Sequence, residues 1–334
     1  MAQSKHIVVI GASAGGIEAL RTLVAALPDN YPAPICIVMH TGPQAPGVLD
    51  AILTRAGALP ASNARNGERL KPGRIYVAPP DCHLVIEPGI ARVTKGPREN
   101  RFRPAVDPLF RSAAQVYGPG AIGVILTGSL DDGTAGLWTV KQLGGTAIVQ
   151  DPDEALFPSM PLSAIEHVKV DYVLPLAEIG PLLVKLTTAP PEAEPADVPE
   201  LLNVEVKIAM EHNPRDAGLE QLGEPSCFAC PDCHGVLLEL KEGDRSRFRC
   251  HTGHAYSVAS LLAAVDDAME DSVWNAIRAF EEAQMLMTRV AEHLHTNHGG
   301  SNAQQLLDRA AEARHHADML RKIVAEREPT PEKG

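Results

Sequence analysis

The chain has 334 residues, too many for one ordinary domain, so at least two are expected. Acidic residues outnumber basic ones 42 to 30, a formal net charge of −12, which leaves no electrostatic footprint for nucleic acid. No apolar run reaches the ~18 residues of a membrane-spanning helix, and the N-terminus MAQSKHIVV lacks a signal-peptide pattern, so a cytoplasmic protein without membrane insertion is expected.

The β-branched run Ile7 to Ile10 breaks at Gly11-Ala12-Ser13-Ala14-Gly15-Gly16, and an amphipathic stretch with Ile17, Leu20, Leu23 and Val24 follows. The pattern reads as strand, tight turn, helix. Ser13 falls at the tip of the turn, just before a helix N-terminus whose free N–H groups point toward whatever its hydroxyl attacks. A serine nucleophile is therefore one reading. A dinucleotide-binding turn is the rival, because a Rossmann unit also starts on a Gly-rich turn. Against it, Ser13 replaces the second glycine of that fingerprint, and the next apolar strand, Ala33 to Met39, ends in His40 rather than an acid. An α/β-hydrolase elbow is a third reading, disfavoured because its partners run in the order Ser, acid, His.

His40 alone could be an ordinary polar residue at a strand end. The run Ala121 to Leu126 then opens into Thr127-Gly128-Ser129-Leu130-Asp131-Asp132-Gly133, placing two carboxylates at the same sheet edge. By themselves these acids are also good turn or cap residues. Together, three strand ends deliver a hydroxyl, a base to take its proton and a carboxylate to orient that base. The expected architecture is α/β, a doubly wound, mostly parallel sheet.

At these residues the chain resembles the catalytic domain of CheB-type chemotaxis methylesterases. The resemblance covers about residues 5 to 188 and rests on ordered blocks: GASAGG, VMH, YVAPPDCHL (Tyr76 to Leu84), RPAVDPLFRSAA (Arg103 to Ala114), LTGSLDDGTAGL and QDPDEALFPSMPLSAI (Gln150 to Ile165). It implies Ser13 as nucleophile, His40 as base and Asp132, the acid just before the loop glycine, as orienting carboxylate. It also implies hydrolysis of glutamate γ-methyl esters on a methylated chemoreceptor (a methyl-accepting chemotaxis protein), with glutamine deamidation as a second reaction and no cofactor for catalysis. The expected form is stand-alone, without the receiver domain of the family's regulated members. One departure stands out: the family commonly has Gly-Met-Gly before the acid pair, and here the residues are Gly128-Ser129-Leu130. Two alternatives remain beside this reading, a non-catalytic scaffold on the same fold and an esterase outside chemotaxis.

After the catalytic domain (1–188) the composition turns Pro-, Ala- and acid-rich, which reads as a linker over 189–222. Its LLNVEVKIAMEH stretch fits either a short strand or a helix. Four of the six cysteines then cluster. Cys230-x₂-Cys233, sixteen intervening residues, and Cys250-x₃-His254 have the spacing of a ribbon-like zinc site, and thiolate with imidazole suits tetrahedral Zn²⁺. Cys227 can replace Cys230, His234 and His251 are spare ligands, and reduced thiols in a small domain are the bland alternative. A zinc-ribbon-like module is thus expected over 223–256, with a β-hairpin turning at Glu242-Gly243-Asp244 and a structural Zn²⁺ supplying much of its stability. Helical spacing of Leu261, Leu262, Val265, Met269, Val273, Ile277, Phe280 and Met287, then a break at His298-Gly299-Gly300 with Ser301 as N-cap, predicts a helical hairpin over 257–330. Its apolar stripe is expected to be its own core, and the C-terminal module is expected to serve a signalling partner.

Overall fold

The computed structural model describes residues 4–191, 196–242, 245–296 and 300–326. Among them, seven strands form the main sheet, in the order Tyr172–Leu174, Thr146–Gln150, Ala121–Ile125, Ile7–Ala12, Ile35–Met39, Ile75–Val77 and Ala61–Asn63, and every neighbouring pair is parallel. A parallel sheet covered on both faces needs strands apolar on both faces. Ile7–Ala12 is buried at all six positions. Ile7 and Val9 pack with Val106, Leu109 and Phe110 of the helix Val106–Tyr117. Val8 and Ile10 pack on the other face with Leu20 and Leu23 of Gly16–Ala25 and with Ile179 and Leu183 of Leu176–Thr188.

Chain order runs outward in both directions from the centre of this sheet: from Ile7–Ala12 to Ile35–Met39 on one side, and from Ala121–Ile125 to Thr146–Gln150 on the other. The reversal leaves a crevice at the carboxyl ends of the central strands, where sites form in open α/β sheets. A small antiparallel sheet, Glu68–Arg69, Ile90–Thr94 and His83–Glu87, packs through Leu84, Val85, Ile86 and Ala91 into the same core as the helix Val106–Tyr117.

The segment 189–222 is more than a linker. Glu200–Ala209 is an α-helix, and its Leu202, Val206 and Ala209 join the core of the main sheet. Their i, i+4, i+7 spacing is the apolar stripe of a docked helix. The Cys/His module follows as a four-stranded antiparallel sheet, Glu224–Ala229, Val236–Glu242, Arg245–Cys250 and Ala255–Ser257. The expected hairpin is present in its two strands, and its turn residues Gly243 and Asp244 lie outside the described residues.

The chain divides into two compact units, Met1–Leu261 and Leu262–Lys333, so the Cys/His module belongs to the same body as the main sheet. A buried ionic cluster shows why. Glu205 accepts from Arg247 at 2.6 Å and from Arg249 at 2.9 Å, Arg249 also reaches Glu99 at 3.1 Å, and Arg111 pairs with Glu99. All five side chains are at least nine-tenths buried. They come from the loop before the helix Val106–Tyr117, from that helix, from Glu200–Ala209 and from Arg245–Cys250. Charges taken so far from water persist only when paired, and each partner would be left uncompensated if the elements separated.

The second unit holds the helices Val258–Thr296, from Leu262 onward, and Gly300–Glu326. Ser301 lies inside the second helix, which begins at Gly300, so it is not the N-cap; His298 and Gly299 lie outside the described residues. The buried positions of this unit include Ile277, Ala291, Ala303, Ala310, Ala313 and Ala317, whereas Leu262, Val265 and Met269 are exposed. The stripe expected to form the hairpin core therefore does so only in part, because two packed helices bury one narrow strip each and here small alanines fill much of it.

Burial alone would raise the Glu205 pKa, but Arg111, Arg247 and Arg249 outweigh it and hold the carboxyl well below its ordinary value. A depressed carboxylate stabilises the fold above its unfolded pKa, and that contribution is lost as pH falls through the folded value. Glu205→Gln should cost about 3 kcal/mol or more at pH 7 in urea unfolding. The gap from wild type should narrow as pH drops below the ordinary glutamate value of 4.5.

Candidate active site

Ser13 follows directly on the strand Ile7–Ala12, and its own N–H is bonded to the Thr127 carbonyl at 3.0 Å. Gly15, at φ 74°, caps the helix Gly16–Ala25. Only a residue without Cβ adopts that conformation freely, which lets the chain turn from strand to helix within three residues. The Thr127 hydroxyl donates to the Ala14 carbonyl at 3.0 Å and accepts from the Phe157 N–H at 2.9 Å, so the Ser13 turn is stitched to the loop after Ala121–Ile125. That loop approaches closely: a Cβ at Gly128 would lie 2.8 Å from the Ser13 Cβ.

His40 leaves the end of Ile35–Met39, with its backbone N–H on the Ala12 carbonyl at 3.1 Å. Its Nδ1 is 3.1 Å from Ser13 Oγ and its Nε2 is 2.7 Å from Asp132 Oδ2. The Phe102 ring lies flat on the imidazole, centroids 3.7 Å apart and planes 7° from parallel, which restricts the ring to this orientation.

Asp132 is buried, and burial by itself disfavours its charge. The His40 bond, the Val106 N–H and the Asn100 amide outweigh that and hold its pKa below the ordinary value. Both oxygens are fully engaged: Oδ2 by His40 and by Val106 N–H at 2.7 Å, Oδ1 by Asn100 Nδ2 at 2.9 Å and Asp107 N–H at 3.3 Å. The two backbone donors are the first N–H groups of the helix Val106–Tyr117, the end of a helix that favours a negative charge. With Asp132 ionised, the Nε2 proton must sit between His40 and the acid, which leaves Nδ1 as the acceptor facing the serine hydroxyl. Asp131 turns elsewhere: its carboxylate accepts from the Ser257 hydroxyl at 2.7 Å.

Of the expected triad, the structure therefore brings Ser13, His40 and Asp132 into one hydrogen-bonded chain. Sequence reading missed Asn100, Phe102 and Asp107. All lie just before or in the RPAVDPLF block, whose regularity was visible although its placement beneath the triad was not. Burial, followed by the charge of Asp132, pushes the Asp107 carboxyl up to about 7.

The ligand atoms of Cys230, Cys233, Cys250 and His254 lie within 4.8 Å of one another. Cys230 Sγ to His254 Nδ1, Cys233 Sγ to Cys250 Sγ, and Cys250 Sγ to His254 Nδ1 are each 3.6 Å. Arms of about 2.3 Å at tetrahedral angles would set ligands roughly 3.8 Å apart, so three thiols and one imidazole fit one small tetrahedral ion. Cys227 is exposed and stands outside this group, as do His234 and His251.

A serine, a histidine and a buried aspartate linked at the carboxyl edge of a parallel sheet define a serine-type hydrolase on an α/β scaffold. Comparison with known proteins is more specific. Residues 8–183 match the model of the CheB methylesterase family, and the chain belongs to that family. It is 44% identical over 180 residues to a putative protein-glutamate methylesterase/protein-glutamine glutaminase of Leptospira interrogans, covering 54% of this chain and 93% of that one. It is 41% identical over 189 residues to the protein of the same name, without "putative", from Thermotoga maritima, covering 55% of each chain. The crystal structure of the Thermotoga maritima CheB methylesterase catalytic domain superposes with a TM-score of 0.53 at 39% identity, covering 56% of this chain and all of that domain. The Cys/His module lies beyond the residues that the family model matches.

The departure from the family's glycines has a structural counterpart: Leu130 sits at φ 61°, a left-handed conformation that a glycine would adopt without strain. Leu130→Gly should raise stability by about 1 kcal/mol in denaturant unfolding, with the triad geometry unchanged.

Proposed function

We propose that this chain hydrolyses glutamate γ-methyl esters on methylated chemoreceptors, with Ser13 as nucleophile, His40 as general base and Asp132 as the orienting carboxylate. The observation that carries the reading is the Ser13 Oγ–His40–Asp132 chain, with links of 3.1 and 2.7 Å. Ser13 Oγ attacks the ester carbonyl while its proton passes to His40 Nδ1. Asp132 stabilises the imidazolium that forms, and its four donors keep it ionised as it does so. The N–H groups of Ala14 and Gly15, just before Gly16–Ala25, are the candidates to receive the oxyanion, because the N–H of Ser13 is committed to the Thr127 carbonyl and that of Gly16 to the Ser13 carbonyl. Nδ1–H then protonates the departing methoxide, giving methanol. A water attacks the acyl-enzyme, giving its proton to the same nitrogen and releasing the glutamate. With a glutamine side chain the same sequence expels ammonia. The complete hydrogen-bond chain supports catalysis over a binding-only role.

Methylated receptor membranes should release methanol with the native protein and none with Ser13→Ala, whose melting temperature should match wild type. Asp132→Asn should lower the rate by roughly 10⁴-fold, with Asp131→Asn staying within about tenfold of wild type. The reverse order would reassign the acid.

We further propose that Cys230, Cys233, Cys250 and His254 hold a structural Zn²⁺. Four protein ligands leave no coordination position for substrate, so the ion's contribution is to fold the module. Purified protein should contain one zinc per chain by atomic emission, Cys250→Ser should lose it, and chelator should lower the melting temperature. Metal-free protein with an unchanged melting curve would overturn the assignment.

A further inference from the structure

The triad acid and the Cys/His module meet at a single side chain, Asn100. The loop Glu99–Arg103 lies between them and serves both. Phe102 stacks on His40. Glu99 enters the buried ionic cluster through Arg249. Arg103 anchors the end of the loop on Asp81 at 2.7 Å. The module grips the same loop by its backbone: Glu99 forms a bridge with Ala255, Asn100 N–H donates to the Ala255 carbonyl at 2.8 Å, and Ala255 N–H donates to the Arg98 carbonyl at 3.1 Å. Asn100 and Arg101 are held at positive φ, 49° and 74°, a costly pair that persists only where surroundings enforce it.

The Asn100 side chain is 5% exposed and uses its full hydrogen-bonding capacity. Its Nδ2 donates to Asp132 Oδ1 and to Asp107 Oδ2, both at 2.9 Å. Its Oδ1 accepts from the Ser257 N–H at 2.9 Å and from the Ser260 hydroxyl at 3.1 Å. The Ser257 N–H can only donate, so it must face the amide oxygen, and the amide nitrogen is thereby turned to the acids. Ser257 and Ser260 are themselves tied together: Ser260 N–H donates to Ser257 Oγ at 2.9 Å, and the Ser257 N–H is shared between Asn100 Oδ1 and Ser260 Oγ, each at 2.9 Å. Ser257 closes the strand Ala255–Ser257, three residues after His254.

We infer that Asn100 is a positioning residue for the catalytic acid and that the appended module dictates its orientation, so the module's integrity sets the competence of the triad. The inference rests on the triad reading of the preceding subsection. Asn100 touches neither the serine nor the scissile ester and acts through Asp132. A rigid module, continuing directly into the first turn of the helix Val258–Thr296, supplies Ser257 and Ser260 in register. A loosened one leaves the amide free to rotate, and Asp132 loses one of its four donors, with the His40–Ser13 alignment degrading in turn.

The test is a double-mutant cycle in the full-length chain, read by methanol release and by amide hydrogen exchange. Asn100→Ala should lower kcat by roughly ten- to a hundredfold, the worth of a hydrogen bond to a charged group, with KM within about twofold. Ser260→Ala, which leaves every catalytic group in place, should lower kcat by about threefold. In the Asn100→Ala background, Ser260→Ala should have no further effect on kcat, because its route to Asp132 is gone. The Val106 and Asp107 amides, both donors to Asp132, should exchange about fivefold faster in each single variant, independently of activity. Equal and multiplicative kcat losses from the two substitutions would overturn the inference, as would unchanged exchange at both amides. Faster exchange in a protein whose wild type releases no methanol would uphold the coupling and reject the catalytic reading instead.

Discussion

An ionised carboxylate buried at the edge of an apolar sheet is the constraint on which this site depends. Desolvation disfavours the charge of Asp132, and it persists because four donors converge on its two oxygens. The four donors come from three different elements. His40 comes from a central strand. Val106 and Asp107 come from a helix N-terminus packed against the sheet. Asn100 comes from a loop that turns back beneath the imidazole. Placing one charge thus fixes the relative position of three elements, and the serine turn follows because Thr127 ties it to the acid strand.

The second organising feature is the buried cluster of Glu99, Arg111, Glu205, Arg247 and Arg249. Buried ion pairs are poor sources of net stability compared with apolar packing, but they are demanding about geometry. Here they join the helix Val106–Tyr117, the helix Glu200–Ala209 and the Cys/His module into one body, with Arg249 bonded to both acids. The ribbon is therefore not a bead on a string. Its strand order and the spacing of its cysteines are local matters, whereas its attachment relies on Arg247 and Arg249, three residues and one residue before Cys250.

Much of this could be read from the residues. The strand, turn and helix around Ser13, the strand-end His40 and the acid loop follow from periodicity and turn chemistry, and the Cys/His spacing predicted the four side chains that come together. The parts that escaped reading share a cause. Glu200–Ala209 looked like linker because it sits among prolines and acids, and its three apolar residues acquire meaning only against a surface supplied by distant chain. Asn100 and Phe102 carry no motif of their own; their roles arise from a loop conformation held by Ser257 and Ser260, more than 150 residues later in the chain. The exposed Leu262, Val265 and Met269 show the converse error, since helical periodicity predicts an apolar face but not what covers it.

The welded architecture has a consequence for how the gene can be cut and shuffled. A boundary placed at residue 188, where the composition changes, would remove none of Ser13, His40 and Asp132, yet it would strip Leu202, Val206 and Ala209 from the hydrophobic core and take Glu205 from Arg111 and Arg249 from Glu99. Recombination between this enzyme and a shorter relative would have to exchange the underside of the helix Val106–Tyr117 together with the tail that shields it. Residues up to 188 and the segment from Glu200 to Leu261 thus form one body, and changes in either are constrained by the other through the buried charges they share.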